Sequence, residues 1–101
     1  MENKHTTGQW EVKDCHDDTR TAEIKSDGKN IATVWAYNGG SKVIDFNEQQ
    51  ANAKLIAAAP ELLKALEDCL FGLEIANKDN PNKGFKLSIE KAKAAINKAT
   101  K

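Results

Sequence analysis

Two hydrophobic periods divide the chain into a first half with strand patterns and a second half with helix patterns. Apolar and polar residues alternate over residues 9–15 and 19–26, and residues 30–37 are rich in β-branched and aromatic side chains. Such segments form half-buried strands, because successive side chains point to opposite faces of a sheet. A shorter fourth strand is predicted over residues 42–46, after a turn sequence Asn-Gly-Gly. The pattern therefore predicts a four-stranded antiparallel meander.

The second half has the spacing of amphipathic helices. Apolar residues recur every three or four positions over residues 47–76, and Pro60 interrupts this segment. Proline lacks an amide hydrogen and disfavours helical angles in the residue before it, so we expect the helix to break there. A polar loop over residues 77–84 separates it from a final helix predicted over residues 87–99. Strands followed by helices predict an α+β fold, with the helices on one face of the sheet.

Length and composition fit one small domain. The chain has 101 residues, of which 40% are hydrophobic and 30% are charged, as in ordinary globular proteins. We expect a flexible N-terminus over residues 1–8 and a single α+β domain over residues 9–99. No apolar run approaches the roughly 20 residues that span a membrane, and the first residues lack the layout of a secretory signal. The expected location is therefore the cytoplasm.

Charge is balanced overall but unevenly distributed. Residues 1–50 carry nine acids and six bases, whereas residues 51–101 carry six acids and nine bases. Most of the basic excess is in the final helix and the loop before it. A lysine-rich helix can contact nucleic-acid phosphates without sequence preference. The alternative is a solvated helical face. This alternative is favoured because the segment contains no arginine and few aromatic residues between its lysines.

No motif in the chain points to a reaction. The segment Cys-His-Asp-Asp at residues 15–18 gathers four potential ligands, but adjacent side chains rarely converge on one atom. A zinc site needs about four ligands, and no CxxC or HxxxH spacing supplies them. Gly28 and the pair at residues 39–40 are turn glycines rather than parts of a phosphate-binding loop. We therefore predict no catalytic residue, no metal and no cofactor, and we predict that Cys15 and Cys69 are reduced thiols.

The third strand has two chemically different faces. Trp35 and Tyr37 fall on one face, and Ala32, Val34 and Ala36 fall on the other. If the small aliphatic residues lie under the helices, the aromatic pair lies outside, as an interface anchor or a base-stacking platform. The opposite assignment, with Trp35 in the core, is equally compatible with the pattern. A two-sided strand also fits a homodimer that covers the second face.

Residues 50–66, QANAKLIAAAPELLKAL, resemble the EANARLIAAAPELLEAL helical block of many small uncharacterised phage and prophage proteins. Gln50 takes the place of the first Glu, and Lys54 takes the place of Arg. The resemblance implies a phage origin. It implies no activity, because the block is a scaffold that carries varied strands.

Small phage proteins without enzymatic motifs often act on host defence by binding, which gives three hypotheses. The first is a protein inhibitor of the anti-CRISPR type, whose acidic face occupies the groove of a nucleic-acid-binding host complex. The second is a sponge for a nucleotide defence signal, with an aromatic platform near basic residues. The third is a DNA-associated accessory protein that uses the final helix. We favour the inhibitor. The candidate interaction residues are the acids of the inhibitor's face, Glu11, Asp14, Asp17 and Asp18, and the residues of the sponge's platform, Arg20, Trp35 and Tyr37.

Overall fold

The computed structural model describes residues 4–16, 21–35 and 46–101. In chain order these form strands β1 (Glu11–His16), β2 (Thr21–Ser26) and β3 (Lys29–Trp35), then helices α1 (Phe46–Ala57), α2 (Ala59–Asp79) and α3 (Lys83–Thr100). The chain divides into two compact units. We call Thr6–Pro60 the sheet unit, and Glu61–Lys101 together with Met1–His5 the helical unit.

The sheet is antiparallel, with β2 between β1 and β3. β2 and β3 are joined by a tight turn at Asp27 and Gly28, whose φ angles of 51° and 80° are both positive. The Asp-Gly pair favours this turn, because both residues adopt left-handed backbone angles more readily than most. The turn aligns Ile24 with Ala32 and Ala22 with Val34. One set of alternating residues therefore lies on a common face.

An irregularity in β3 adjusts which residues share that face. The pairing shifts between Ile24 and Lys25, so Ile31 is an extra residue between the partners Asn30 and Ala32. Such a bulge lets a strand change the phase of its side chains. Ile31 is consequently packed against the core together with Ala32 and Val34, rather than lying on the opposite face.

The core of the sheet unit lies between the sheet and α1. Ala22 and Ile24 of β2 and Ala53 of α1 are fully buried, because small side chains let the helix approach the sheet closely. Gln49 is only 1% exposed, and its Nε2 donates a hydrogen bond of 2.9 Å to the carbonyl oxygen of Val34. A buried amide needs such a partner, so this bond fixes the position of α1 along β3.

The helical unit contains α3 and nearly all of α2. α3 buries Ile89, Ala92 and Ile96, which are spaced three and four residues apart, as on one face of a helix. Lys93 Nζ lies 3.5 Å from Glu74 Oε2, so a salt bridge joins α3 to α2. The two helices therefore form a hairpin with its own small apolar stripe.

The turn of this hairpin is fixed by asparagine side chains. Asn82 caps α3 by accepting a 2.7 Å hydrogen bond from the Gly84 amide. The backbone amide of Asn82 donates a hydrogen bond of 3.0 Å to Asn77 Oδ1. These bonds satisfy backbone groups that have no partner within a helix end. Because the cap lies at Asn82, α3 begins at Lys83 and not near residue 87 as predicted.

The α+β class is confirmed, but the four-stranded meander is wrong. The part of the chain that the structure describes contains a three-stranded sheet. Phe46, predicted to end a fourth strand, is the first residue of α1, and residues 42–45 lie outside the described residues. The physical reason is that a short apolar run fits a strand and the start of a helix equally well.

The predicted interruption near Pro60 is present. α1 ends at Ala57 and α2 begins at Ala59, so the break precedes the proline by two residues. Proline is tolerated in the first turn of a helix, where amide hydrogens have no helical acceptor. Pro60 therefore belongs to the start of α2 rather than to the break itself.

Candidate interaction surface on the sheet

The face of the sheet opposite α1 carries the residues that alternate with the core positions. We call this set the outer face. Its members are polar or charged except for one tryptophan, and by strand alternation and register they are Glu11, Lys13, Thr21, Glu23, Lys25, Thr33 and Trp35.

Charges of both signs are interleaved on the outer face. Lys13 Nζ lies 3.3 Å from Glu11 Oε2 on β1, and Lys25 Nζ lies 3.4 Å from Glu23 Oε2 on β2. The register also sets Glu11 opposite Lys25 and Lys13 opposite Glu23. Each acid therefore has a lysine along its strand and another across the sheet. The four charges cancel, and this patch does not present an acidic surface.

Trp35 is the large apolar side chain of this face. It is 57% exposed and lies at the end of β3, opposite the buried Thr21 of β2. Ala32 and Val34 pack on the other side, against the core. This placement decides between the two assignments that the sequence leaves open: the small residues lie under α1, and Trp35 faces outward.

Trp10 provides a contrast in the same unit. It is half-buried and packs against the core, and its Nε1 donates a 3.1 Å hydrogen bond to the carbonyl oxygen of Thr6. Its indole is therefore held in place by the hydrogen bond and by packing against the core. Trp35 is the tryptophan that is available for contact with another molecule.

Two of the seven predicted site residues, Glu11 and Trp35, lie on the outer face, but the structure does not bring them together. Glu11 on β1 is opposite Lys25, and Trp35 on β3 is opposite Thr21, at the other end of β2. Asp14 lies in β1, and only its backbone is described. The remaining predicted residues lie outside the described residues: Asp17, Asp18, Arg20 and Tyr37. The site as described is therefore an exposed tryptophan beside a neutral charge array.

The sequence reasoning missed the contribution of Lys13 and Lys25 to this surface. The sequence could have predicted this contribution, because each lysine follows a glutamate by two residues and therefore lies on the same face of the strand. It also missed an exposed apolar pair on α2, Phe71 and Ile75, which are 68% and 49% exposed.

The lysines of α3 do not form a single basic stripe. Lys86 and Lys93 lie on one side of its buried residues, and Lys91 and Lys98 lie on the other, as their positions in the helical repeat require. Lys93 is already paired with Glu74. This distribution is typical of a solvated helix whose long side chains flank an apolar face.

A recess of about 260 Å³ lies at the turn of the hairpin. Most of its lining residues are exposed; they are Asn77, Pro81, Asn82, Lys83 and Lys86. It is a surface depression beside the start of α3, without an enclosed wall.

The described residues offer little for metal or thiol chemistry. Within residues 4–16, 21–35 and 46–101, no three His, Cys, Asp or Glu side chains are grouped as a metal site requires. Cys69 is a free, exposed thiol on α2. In the same part of the chain, no helix combines the length and apolar character needed to cross a membrane.

Comparison with known proteins gives a family match. The family model described as Salmonella phage P22 protein Y8K6 matches the chain over residues 1–101. No curated protein and no solved structure matches the chain. The match agrees with the phage origin that the resemblance of residues 50–66 implied, although it does not address that helical block.

Proposed function

The chain belongs to the family of Salmonella phage P22 protein Y8K6, and from that premise we propose that it is a non-enzymatic binding protein that inhibits a host defence protein. This is the mode of action of an anti-CRISPR protein, and its place of action is the host cytoplasm. The single observation that carries the proposal is the exposed Trp35 on the outer face of the sheet.

Trp35 has the chemistry of an interface anchor. Tryptophan is enriched among the residues that dominate binding free energy, and such residues are surrounded by a polar rim. Thr33 precedes Trp35 by two residues on the same face, and Glu23 lies opposite Thr33, so both supply polar neighbours. Covering the exposed part of the indole would contribute roughly 3 kcal/mol, at about 25 cal/mol per Å² of apolar surface. That is a large share of the free energy of a typical interface.

The charge array supports one kind of partner over another. An inhibitor that imitates nucleic acid needs a concentration of negative charge, and Glu11 and Glu23 are each neutralised by a neighbouring lysine. The described surface instead fits a host protein with an apolar pocket ringed by charges of both signs. Binding through this face should therefore depend only weakly on salt, unlike binding by an electrostatic decoy.

Pull-down from bacterial lysates tests the proposal. Tagged protein is compared with the Trp35→Ala variant and with Leu55→Ala as a matched control, because Leu55 is 64% exposed on α1 of the same unit. We expect a host defence protein to be recovered by the original chain and by the control, and to be lost with Trp35→Ala. Equal recovery by all three proteins, or no host protein from several hosts, would contradict the proposal.

A thermal-shift experiment and a DNA-binding experiment separate the inhibitor from the two alternative functions. A higher melting temperature with cyclic dinucleotides or ADP-ribose derivatives would identify a nucleotide sponge, because a ligand that binds only the folded state stabilises it. Affinity for DNA that falls steeply with added salt would identify an accessory protein. Either result would replace the inhibitor as the function.

A further inference from the structure

A second exposed apolar surface lies on α2, in the helical unit. Phe71 and Ile75 are 68% and 49% exposed and are four residues apart, so they are neighbours on one side of the helix. The same side carries three exposed charged residues. We call the set the α2 outer stripe, and its members are Lys64, Asp68, Phe71, Ile75 and Lys78.

The stripe has the spacing of a helix–helix seam. Its members follow one another at intervals of four, three, four and three residues, which is the heptad pattern of helices that pair along their length. It is distinct from the half-buried stripe of α2 formed by Leu63, Leu66, Leu70 and Leu73, which lies about 140° away around the helix axis. α2 therefore has one apolar face that is partly covered and one that is exposed.

The stripe is complementary to a second copy of itself that runs in the opposite direction. Phe71 and Ile75 are equally distant from position 73, and so are Asp68 and Lys78. A second α2 that runs antiparallel about an axis at that position would set Phe71 against Ile75 of the partner subunit. It would also set Asp68 against Lys78 of the partner subunit. The two-fold axis generates this ion pair twice, once at each end of the contact.

From this complementarity we propose that two copies of the chain associate through the α2 outer stripe, with their α2 helices antiparallel. Within one chain Asp68 and Lys78 are ten residues apart, about 15 Å along the helix, which is too far for an ion pair. The second copy brings these charges together. A parallel arrangement would oppose Asp68 to Asp68 and Lys78 to Lys78, so the charges select the antiparallel one.

The size of the stripe predicts a weak, concentration-dependent dimer. One helix face buries less than the roughly 1,200 Å² of a stable specific interface, and interfaces of that size are transient. This association goes beyond the proposed function, because it uses α2 of the helical unit whereas host binding uses Trp35 of the sheet unit. Either proposal can fail without the other.

Sedimentation velocity of the full chain, over about a hundredfold range of concentration, tests the dimer. We expect the sedimentation coefficient to rise with concentration for the original chain. Asp68→Lys places like charges opposite each other, and Phe71→Ser removes the apolar contact, so each should weaken association by about tenfold or more. The double variant Asp68→Lys with Lys78→Asp restores opposite charges and should restore association.

Controls on α3 separate the stripe from general surface effects. Glu90→Lys makes the same change of charge, and Leu87→Ser removes another exposed apolar side chain, 53% exposed; both should leave association unchanged. Circular dichroism verifies folding, which substitutions at exposed positions should preserve. The proposal is overturned if the original chain is monomeric throughout, if Phe71→Ser associates normally, or if the double charge reversal fails to restore association.

Discussion

At the scale of single residues, Gln49 is the polar side chain on which the sheet unit depends. Its amide is buried between α1 and β3 and reaches the backbone carbonyl of Val34. Burial without a partner would cost several kcal/mol in an apolar environment. The hydrogen bond removes this cost and also specifies how α1 lies on the sheet. A polar residue with this role gives no signal in a hydrophobic pattern, so it could not be predicted from the sequence.

Gln49→Ala should destabilise the protein by about 2–3 kcal/mol, because it leaves a cavity and an unsatisfied carbonyl oxygen at Val34. Urea denaturation followed by circular dichroism measures the free energy of unfolding. Asn52→Ala, an exposed position on α1, is the matched control and should change stability by less than about 0.5 kcal/mol. Equal effects of the two substitutions would show that the Gln49 hydrogen bond does not hold α1 in place.

At the scale of elements, alternation and composition predicted the three described strands to within two residues at each described end, and they predicted helices on either side of a break near Pro60. The failures have specific causes. The bulge at Ile31 follows from the pairing of two strands and not from either strand alone. The start of α3 depends on the Asn82 cap, which lies inside a run of loop-forming residues. The run at residues 42–46 was too short to distinguish a strand from the approach to a helix.

The charge array on β1 and β2 gives a prediction at this scale. Lys25→Glu would place a third acid beside Glu11 and Glu23, and like charges on neighbouring strand positions repel. We expect a loss of about 1 kcal/mol in the free energy of unfolding, reduced by added salt because the groups are only partly buried. Lys29→Glu makes the same charge change at an exposed strand end and should have little effect. A loss that salt does not alter would argue against an electrostatic cause.

At the scale of the whole molecule, the two units differ in how much they bury. The sheet unit has fully buried residues from both β2 and α1, whereas α2 contributes no buried residue and α3 contributes Ile89, Ala92 and Ile96. Each unit also has an exposed surface, namely the outer face on the sheet unit and the α2 outer stripe on the helical unit. The division into units and these surfaces could not be read from the sequence, because exposure depends on which of several apolar faces a neighbour covers.

Hydrogen exchange should reflect this difference in burial. Segments with few buried apolar contacts open locally at lower free energy than the core. We therefore expect the amides of β2 to exchange slowest, and those of α2 to exchange faster by about tenfold or more, as followed by mass spectrometry of peptic fragments. Protection in α2 should increase at protein concentrations where the dimer forms. Slower exchange in α2 than in β2 at low concentration would contradict this description of the two units.

The central claim is that the protein acts by binding through the outer face around Trp35. The most direct measurement is the dissociation constant for the captured host protein by isothermal titration calorimetry, with Trp35→Ala and Leu55→Ala compared side by side. We predict that Trp35→Ala raises the dissociation constant by about 30-fold or more, equivalent to about 2 kcal/mol, while Leu55→Ala leaves it unchanged. A dissociation constant that is the same for both variants and the original chain would contradict the claim.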